Sequence, residues 1–463
     1  MSEAQFRSLM TPWLSALGST LLMLAAGAGV VLWAWPAGHR LTRATAVGLS
    51  LLVGPAVMGA VLMCCGAVAL TRSTTLAVGL TCSVVLLLAG RWRWSALPHP
   101  PASPRHLVPH LLLCIAIAYT SWVSLRTHLG WDGTVVWYHK AKILAHERGW
   151  MPVAALQDAT RVWAAPDYPL QVPLAEAWLL LAMERHDERA LKVLPAAWCA
   201  GILCLVFGAV RETEAPDSAG AGLRSVAAVL LVAATPRLIV GEGSFTSGFA
   251  DGPFAGAALA LLWLAWRSHW GTATEWQGLL VLIAATLTWT KQEGVVWVAI
   301  IGGVCALRGW RAARFAVPAL AIGIGWHLWA RAAGAPTTMA YAWPAVTMVP
   351  TRLLTVVLAY VREALTPTTW GLFWPALALG TLAGGGRRCW RFPGLLLAAL
   401  AAGATGLVCS AWGDLAEHAR VTVPRQMIQT APALIVYVCG LQFVRSETFS
   451  RQRGRLQASS LDA

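Results

Sequence analysis

Charge is what this chain has least of. Only 12% of its 463 residues are Asp, Glu, Lys or Arg against 57% hydrophobic, and its mean hydropathy of +0.60 is far above what a water-soluble domain keeps in solution. That excludes a sizeable soluble domain and leaves a polytopic, all-α membrane bundle. Several motifs are also missing: no phosphate-cradling Gly-rich loop of the Walker type, no HExxH, no nucleophile elbow and no C-x-x-C pair. Nothing therefore points to nucleotide hydrolysis, zinc peptidase or serine-hydrolase chemistry. The cysteines lack the paired spacing of a disulfide frame or a zinc site. Cys64, Cys65, Cys114, Cys204, Cys409 and Cys439 lie in apolar runs and Cys389 in an Arg-rich loop, so they read as small buried hydrophobes. No internal repeat is evident, which weakens the case for an inverted-repeat transporter.

What is abundant is apolar helix. A hydrocarbon core about 30 Å thick needs roughly 20 apolar residues. Such stretches fall near 12–34, 45–70, 75–90, 108–125, 170–183, 193–210, 225–241, 251–266, 277–290, 294–307, 315–330, 369–385, 393–412 and 427–444. The first follows the lone Arg7 and is too long for a signal-peptide core, so it is expected to remain as a membrane helix.

The formal charge of +14 is carried by Arg clusters between these stretches, which is a positive-inside pattern and not a nucleic-acid footprint. Arg40/Arg43, Arg91/Arg93/Arg105, Arg308/Arg311/Arg314, Arg387/Arg388/Arg391 and the basic tail 445–463 are assigned to the cytoplasm. Walking in from the two termini then disagrees by one crossing between 168 and 241. The stretch 170–183 is short and carries Glu176, so it is read as a shallow, re-entrant or interfacial element. The expectation is about thirteen spanning helices, with Asp132, Asp167, Asp251, Lys291, Glu293, Arg420 and Arg425 near the one non-cytoplasmic face.

The longest polar, aromatic-rich stretch is 126–168. It opens on Trp131-Asp132, with His139, Lys140 and Lys142 close behind, and at helical spacing Asp132 and His139 share a face. Either these residues form a chemical surface or the Trp and Lys side chains anchor an interfacial helix. Asp167 precedes Tyr168-Pro169-Leu170 and reads first as a helix cap, while Tyr168 suits a headgroup or a sugar ring. Asp251, in Ala250-Asp251-Gly252-Pro253, can likewise cap a helix or serve the same face as Asp132.

Lys291 and Glu293 interrupt an apolar run at Thr290-Lys291-Gln292-Glu293-Gly294, where charge beside lipid is costly unless it pairs or meets water. They read as a hairpin ion pair or as a phosphate site. The expected outer loop 413–425 carries Asp414, Glu417, His418, Arg420 and Arg425, followed by Gln426 and Gln429. Arg425 can snorkel, or Lys291 with Arg420 or Arg425 can clamp a phosphate.

In their order, Trp131-Asp132 with Lys140-Ala141-Lys142, Tyr168-Pro169-Leu170, Ala250-Asp251-Gly252-Pro253, Thr290-Lys291-Gln292-Glu293-Gly294 and Arg425 before a last apolar run resemble the GT-C class of membrane glycosyltransferases. The likeness is to the bacterial branch related to protein mannosyltransferases and the aminoarabinose transferase of lipid A. It covers roughly 108–444, so 1–107 reads as a three-helix addition to a core with outer loop 126–168.

The resemblance implies inverting transfer of a sugar from a polyprenyl-phosphate donor to a hydroxyl or amine of a glycan, lipid or protein acceptor. It places the protein in a bacterial inner membrane, with the site on the non-cytoplasmic face. Asp132 takes the position of the acid that acts as base or orients the acceptor. Relatives often carry two adjacent acids there, whereas Gly133 follows Asp132 here. A bound divalent metal is therefore not expected and no cofactor is required, although Asp167 or Asp251 could supply a second carboxylate in space. The rival readings are a transporter or flippase of a lipid-linked or anionic solute, and a non-catalytic scaffold.

Overall fold

The computed structural model describes residues 3–95, 104–183, 186–214, 222–337, 343–383, 391–411 and 413–440. The basic tail 445–463, Arg387, Arg388 and Cys389 lie outside the described residues. Among those described, every regular element is a helix.

The chain opens with α1 (Glu3–Ala34), α2 (Arg43–Ala67), α3 (Arg72–Ser95) and α4 (Pro104–Arg126). A π-helix (Gly133–Tyr138) runs into α5 (His139–His146), followed by α6 (Val153–Gln157), α7 (Gln171–Ala182), α8 (Val193–Thr213), α9 (Leu223–Ala234) and α10 (Pro236–Ile239). Then come α11 (Asp251–Arg267), α12 (Gln277–Thr290), α13 (Glu293–Ala306), α14 (Ala316–Ala332), α15 (Val349–Ala364), α16 (Pro367–Trp370), α17 (Phe373–Ala383), α18 (Arg391–Val408) and α19 (Leu415–Cys439).

Among the described residues, five helices are long and apolar enough to cross a membrane by themselves. They are Met10–Ala34, Arg43–Ala67, Arg72–Arg91, Leu107–Arg126 and Ala190–Thr213. Several are closed by glycine. A Cβ on Gly54 would run into the Met23 carbonyl oxygen, and one on Gly27 into that of Ser50, so α1 and α2 touch backbone to backbone. Gly54→Leu is expected to wedge them apart and cost about 1–3 kcal/mol, read as a lower melting temperature in detergent. Gly18→Ala on α1, with open space around it, should melt like the wild type.

The first helices are integral to the packing. Gly48 of α2 lies against the backbone of Leu205 and Gly201 in α8. At the other end of α11 from Asp251, about 24 Å along its axis, Arg267 pairs with Glu212 and donates to the Arg40 carbonyl at 3.0 Å. Glu212 also accepts from the Thr42 N–H (3.1 Å) and the Thr45 hydroxyl (2.7 Å), so one buried carboxylate ties α2, α8 and α11 together.

Three elements differ from the sequence reading. Helix α7 is about 18 Å long, as short as α9, yet it does not lie at a lipid surface. Residues 171–181 are all buried, against α2 and α5 among others, as suits a helix apolar on every side. Helix α15 went unrecognised because polar residues interrupt its apolar ones: Leu353, Leu354, Val357, Leu358 and Val361 form an exposed stripe, while Val356 is buried away from it. Its ends are tied down by Arg352, which donates to the Val408 carbonyl (2.7 Å), and by Glu363, which pairs with Arg237 (3.0 Å). The expected loop 413–425 is helical too, since α19 starts at Leu415. Asp414 caps it, accepting from the N–H groups of Ala416 (2.9 Å) and Glu417 (3.3 Å). Cys64 and Cys114 face outward and are not core residues.

Candidate functional site

Five ionic side chains from four parts of the chain meet at one end of the bundle. Asp132 precedes the π-helix, Asp251 opens α11, Lys291 ends α12, Glu293 opens α13, and Arg425 lies three turns into α19. Arg425 bridges two acids: its Nη1 is 2.7 Å from Asp132 Oδ2 and its Nε 2.8 Å from Asp251 Oδ2. Lys291 Nζ is 3.1 Å from Asp251 Oδ1 and 3.0 Å from Glu293 Oε1. Gln429, one turn after Arg425, donates to Asp251 Oδ1 at 2.6 Å.

Burial is graded along this chain of charges. Asp251 is 0% and Lys291 3% exposed, whereas Arg425 is 18%, Asp132 24% and Glu293 40% exposed. The centre is dry and fully paired, and both ends reach solvent. A charge-assisted network of this kind is stable only because each buried ion has an opposite partner.

The surrounding chain is shaped to the network. The Arg425 guanidinium carbon sits 5.0 Å from the centre of the Phe249 ring. Gly243, at φ +77°, lets the 240–250 loop run close to the aliphatic stem of Arg425. The Gly130 N–H donates to the Ser247 carbonyl at 2.8 Å, which fixes the start of the Asp132 segment on that loop. Buried Lys192 donates to the Thr246 and His128 carbonyls and locks the loop to the end of α4.

The capping alternative is overturned at Asp167, whereas Asp251 does stand in the first turn of α11, where the helix dipole favours an acid. Asp251 makes no side-chain cap bond, and both of its oxygens serve Arg425, Lys291 and Gln429. Asp167 is not the cap of α7, whose N-cap is Leu170. Its buried carboxylate accepts from Gln292 Nε2 (3.2 Å) and its carbonyl from Trp326 Nε1 (3.0 Å). Gln292 lies between Lys291 and Glu293, so Asp167 flanks the network through this amide. Tyr168 is half-buried and is an electrostatic neighbour of Arg425, as is Glu293.

The other expected residues lie elsewhere. Arg420 engages exposed Glu417 one turn back (2.7 Å); five residues before Arg425, it points roughly 140° away around the helix. The phosphate clamp imagined from Lys291 with either arginine can therefore use Arg425 and not Arg420. His139 does not share a surface with Asp132, because the intervening segment winds as a π-helix and the 3.6-residue register fails. Its ring packs 5.1 Å from Trp163. Burial, with Arg161, Lys142 and Lys140 nearby, lowers its pKa and favours the neutral imidazole.

Lys140 is buried, not on a surface. Its Nζ donates to the Ala165 carbonyl (3.0 Å) and lies 4.8 Å from the Trp137 ring and 5.7 Å from that of Tyr168. Burial pushes the ammonium down to about 7, against the pull of Asp167 and Asp132. Lys142 is exposed, with its Nζ 4.2 Å from the Tyr138 ring.

Sequence reasoning missed the amides that support the network. Gln292 holds Asp167, and Gln171 at the start of α7 accepts from the Thr290 hydroxyl at 3.3 Å, directly before Lys291. The available signal was a glutamine set against an apolar run, at 171 before Val172-Pro173-Leu174 and at 292 between two charges. Glu176, read only as an obstacle to crossing, is buried with Oε2 unbonded, and its charged neighbours are Glu188, Lys140 and Lys192. Among the described residues no group of three or more His, Cys, Asp or Glu is placed to hold a metal ion.

Chemically, the arrangement offers a partly exposed carboxylate within hydrogen-bond reach of a guanidinium, backed by a buried ammonium. Compared with models of protein families, with characterised proteins and with solved structures, the chain matches none.

Proposed function

We propose that this protein is a membrane glycosyltransferase of the GT-C kind. It moves a sugar from a polyprenyl-phosphate donor to a hydroxyl or amine acceptor at the non-cytoplasmic face of a bacterial inner membrane. The observation that carries this reading is the continuous path Asp132, Arg425, Asp251, Lys291, Glu293, which puts an open carboxylate and two cations in one place.

In the proposed reaction the acceptor's O–H or N–H proton passes to the Asp132 carboxylate while the acceptor heteroatom bonds the anomeric carbon. The bond from that carbon to the phosphate oxygen breaks, and its electron pair leaves on the carrier phosphate. Attack opposite the departing phosphate inverts the anomeric centre. Arg425 and Lys291 offset the charge that grows on the phosphate. Asp251 is a positioning residue that holds both cations together.

The proposed topology has thirteen crossing helices, with α7 buried without crossing and α15 lying along the outer surface. Contacts at the helix ends support it. Segments assigned to the outer side meet one another, as where Arg72 donates to the carbonyls of Leu181 (2.7 Å) and Met183 (3.1 Å). Segments assigned to the cytoplasm do the same around Glu212 and Arg267. Most of the site residues lie at helix ends and not at mid-helix, which suits surface chemistry better than a transport path.

The test is incubation of the purified chain in proteoliposomes with radiolabelled lipid-phosphate sugars drawn from bacterial membranes. Label is expected to appear in a new glycan, lipid or protein product, with free polyprenyl phosphate released. Label that crosses the bilayer still attached to its carrier would replace transfer by transport.

A further inference from the structure

We propose that the Asp132–Arg425 ion pair is an exchangeable latch. An incoming phosphate monoester takes the Nη edge of Arg425 from Asp132, and the released carboxylate turns toward the acceptor. The identity of the anion rests on the function proposed above, whereas the exchange itself does not require transfer.

The charge balance of the site calls for such a step. Three carboxylates face two cations, leaving one negative charge in excess. A phosphate brought into this closed arrangement meets repulsion unless an acid gives way. Asp251 cannot, because it is buried and holds Arg425, Lys291 and Gln429. Glu293 is partnered to Lys291 and not to Arg425. Asp132 is the part-exposed acid on Arg425, which is its sole ion-pair partner among the described residues.

The backbone on both sides of Asp132 is held, so the exchange is a movement of the Asp132 side chain. Gly130 and Gly133 let the segment pack closely, since a Cβ on the first would strike the Phe249 ring and one on the second the Ser247 carbonyl oxygen, and the π-helix starts at Gly133. Short π segments are uncommon and recur at functional sites. Beyond it the chain is held: Trp137 is buried, and Lys140 is tied to the Ala165 carbonyl. On the other side, a part-exposed ion pair is weak enough to exchange for a bidentate phosphate contact.

The experiment measures binding of farnesyl phosphate, with farnesol as the neutral baseline and inorganic phosphate as a second arm, to the full-length chain in detergent. Wild type, Asp132→Asn and Glu293→Gln are compared, each checked by size-exclusion elution. Both variants remove one negative charge, but only Asp132 occupies Arg425. Asp132→Asn is expected to tighten phosphate binding roughly three- to tenfold, and clearly more than Glu293→Gln.

That gain, with farnesyl phosphate, inorganic phosphate or both, supports the exchange and names the source of the phosphate. Equal gains in the two variants, no gain in Asp132→Asn, or undetectable binding by all three proteins overturns it. Because no turnover is read, a wild type that shows the exchange but moves no sugar removes the transferase reading and leaves the latch. A transferring enzyme whose Asp132→Asn form shows no gain does the reverse.

Discussion

Asp251→Ala is expected to destabilise the folded chain by about 3–5 kcal/mol, measured as a fall in the melting temperature of the detergent-solubilised protein. Asp251 is fully buried and accepts from Arg425, Lys291 and Gln429, which belong to α12 and α19. Deleting its carboxylate leaves an ammonium that keeps only the half-exposed Glu293, and a guanidinium that keeps only Asp132. Desolvated charges without partners cost far more than the pair itself contributes. Asp251→Asn, which keeps the shape and an acceptor for Gln429, should fall between Ala and wild type. The pair Arg420 and Glu417 is the control: both are exposed, and Arg420→Ala should leave melting unchanged. Should Asp251→Ala melt like the wild type, this buried carboxylate does not hold α11, α12 and α19 together.

The parts of this site legible in the sequence are those where physics makes a residue expensive. Lys291 and Glu293 stand out because charge inside an apolar run needs a partner, and Arg425 because it stands at the edge of one; the fold supplies a partner for each. Their meeting with Asp132 follows from placing helix ends on a common face. What could not be read was local winding and long-range choice of partner. Spacing put His139 under Asp132, but six residues of π-helix spoil that register. Asp251 and Asp167 look like caps from their neighbours alone. Only tertiary structure brings Arg425 or Gln292 to them.

The same holds for the elements. Helix α15 and the first turns of α19 are too polar for a hydropathy window to register. Yet Asp414 followed three residues later by Glu417 carries the helix-start signature in plain sight. Lys140 shows the opposite failure, since a lysine read as a surface amine is buried between aromatic rings.

The largest effect on the proposed activity belongs to Asp132→Asn. With the acceptor proton left without a carboxylate to receive it, sugar transfer should fall by about 10²–10⁴-fold at saturating donor. The substitution is nearly isosteric at a part-exposed position, so melting and elution should stay close to wild type and separate this loss from unfolding. The latch adds a second signature in the same kinetics. Because asparagine competes less well for Arg425, the KM for the lipid-phosphate donor should drop while kcat collapses. A residue that merely braced the fold would lower stability, and one that merely gripped the donor would raise KM. Equal transfer by Asp132→Asn and wild type would remove Asp132 as proton acceptor, and the chemistry would then have to be sought among the other acids of the cluster, Glu293 first, since it alone of those remaining reaches solvent.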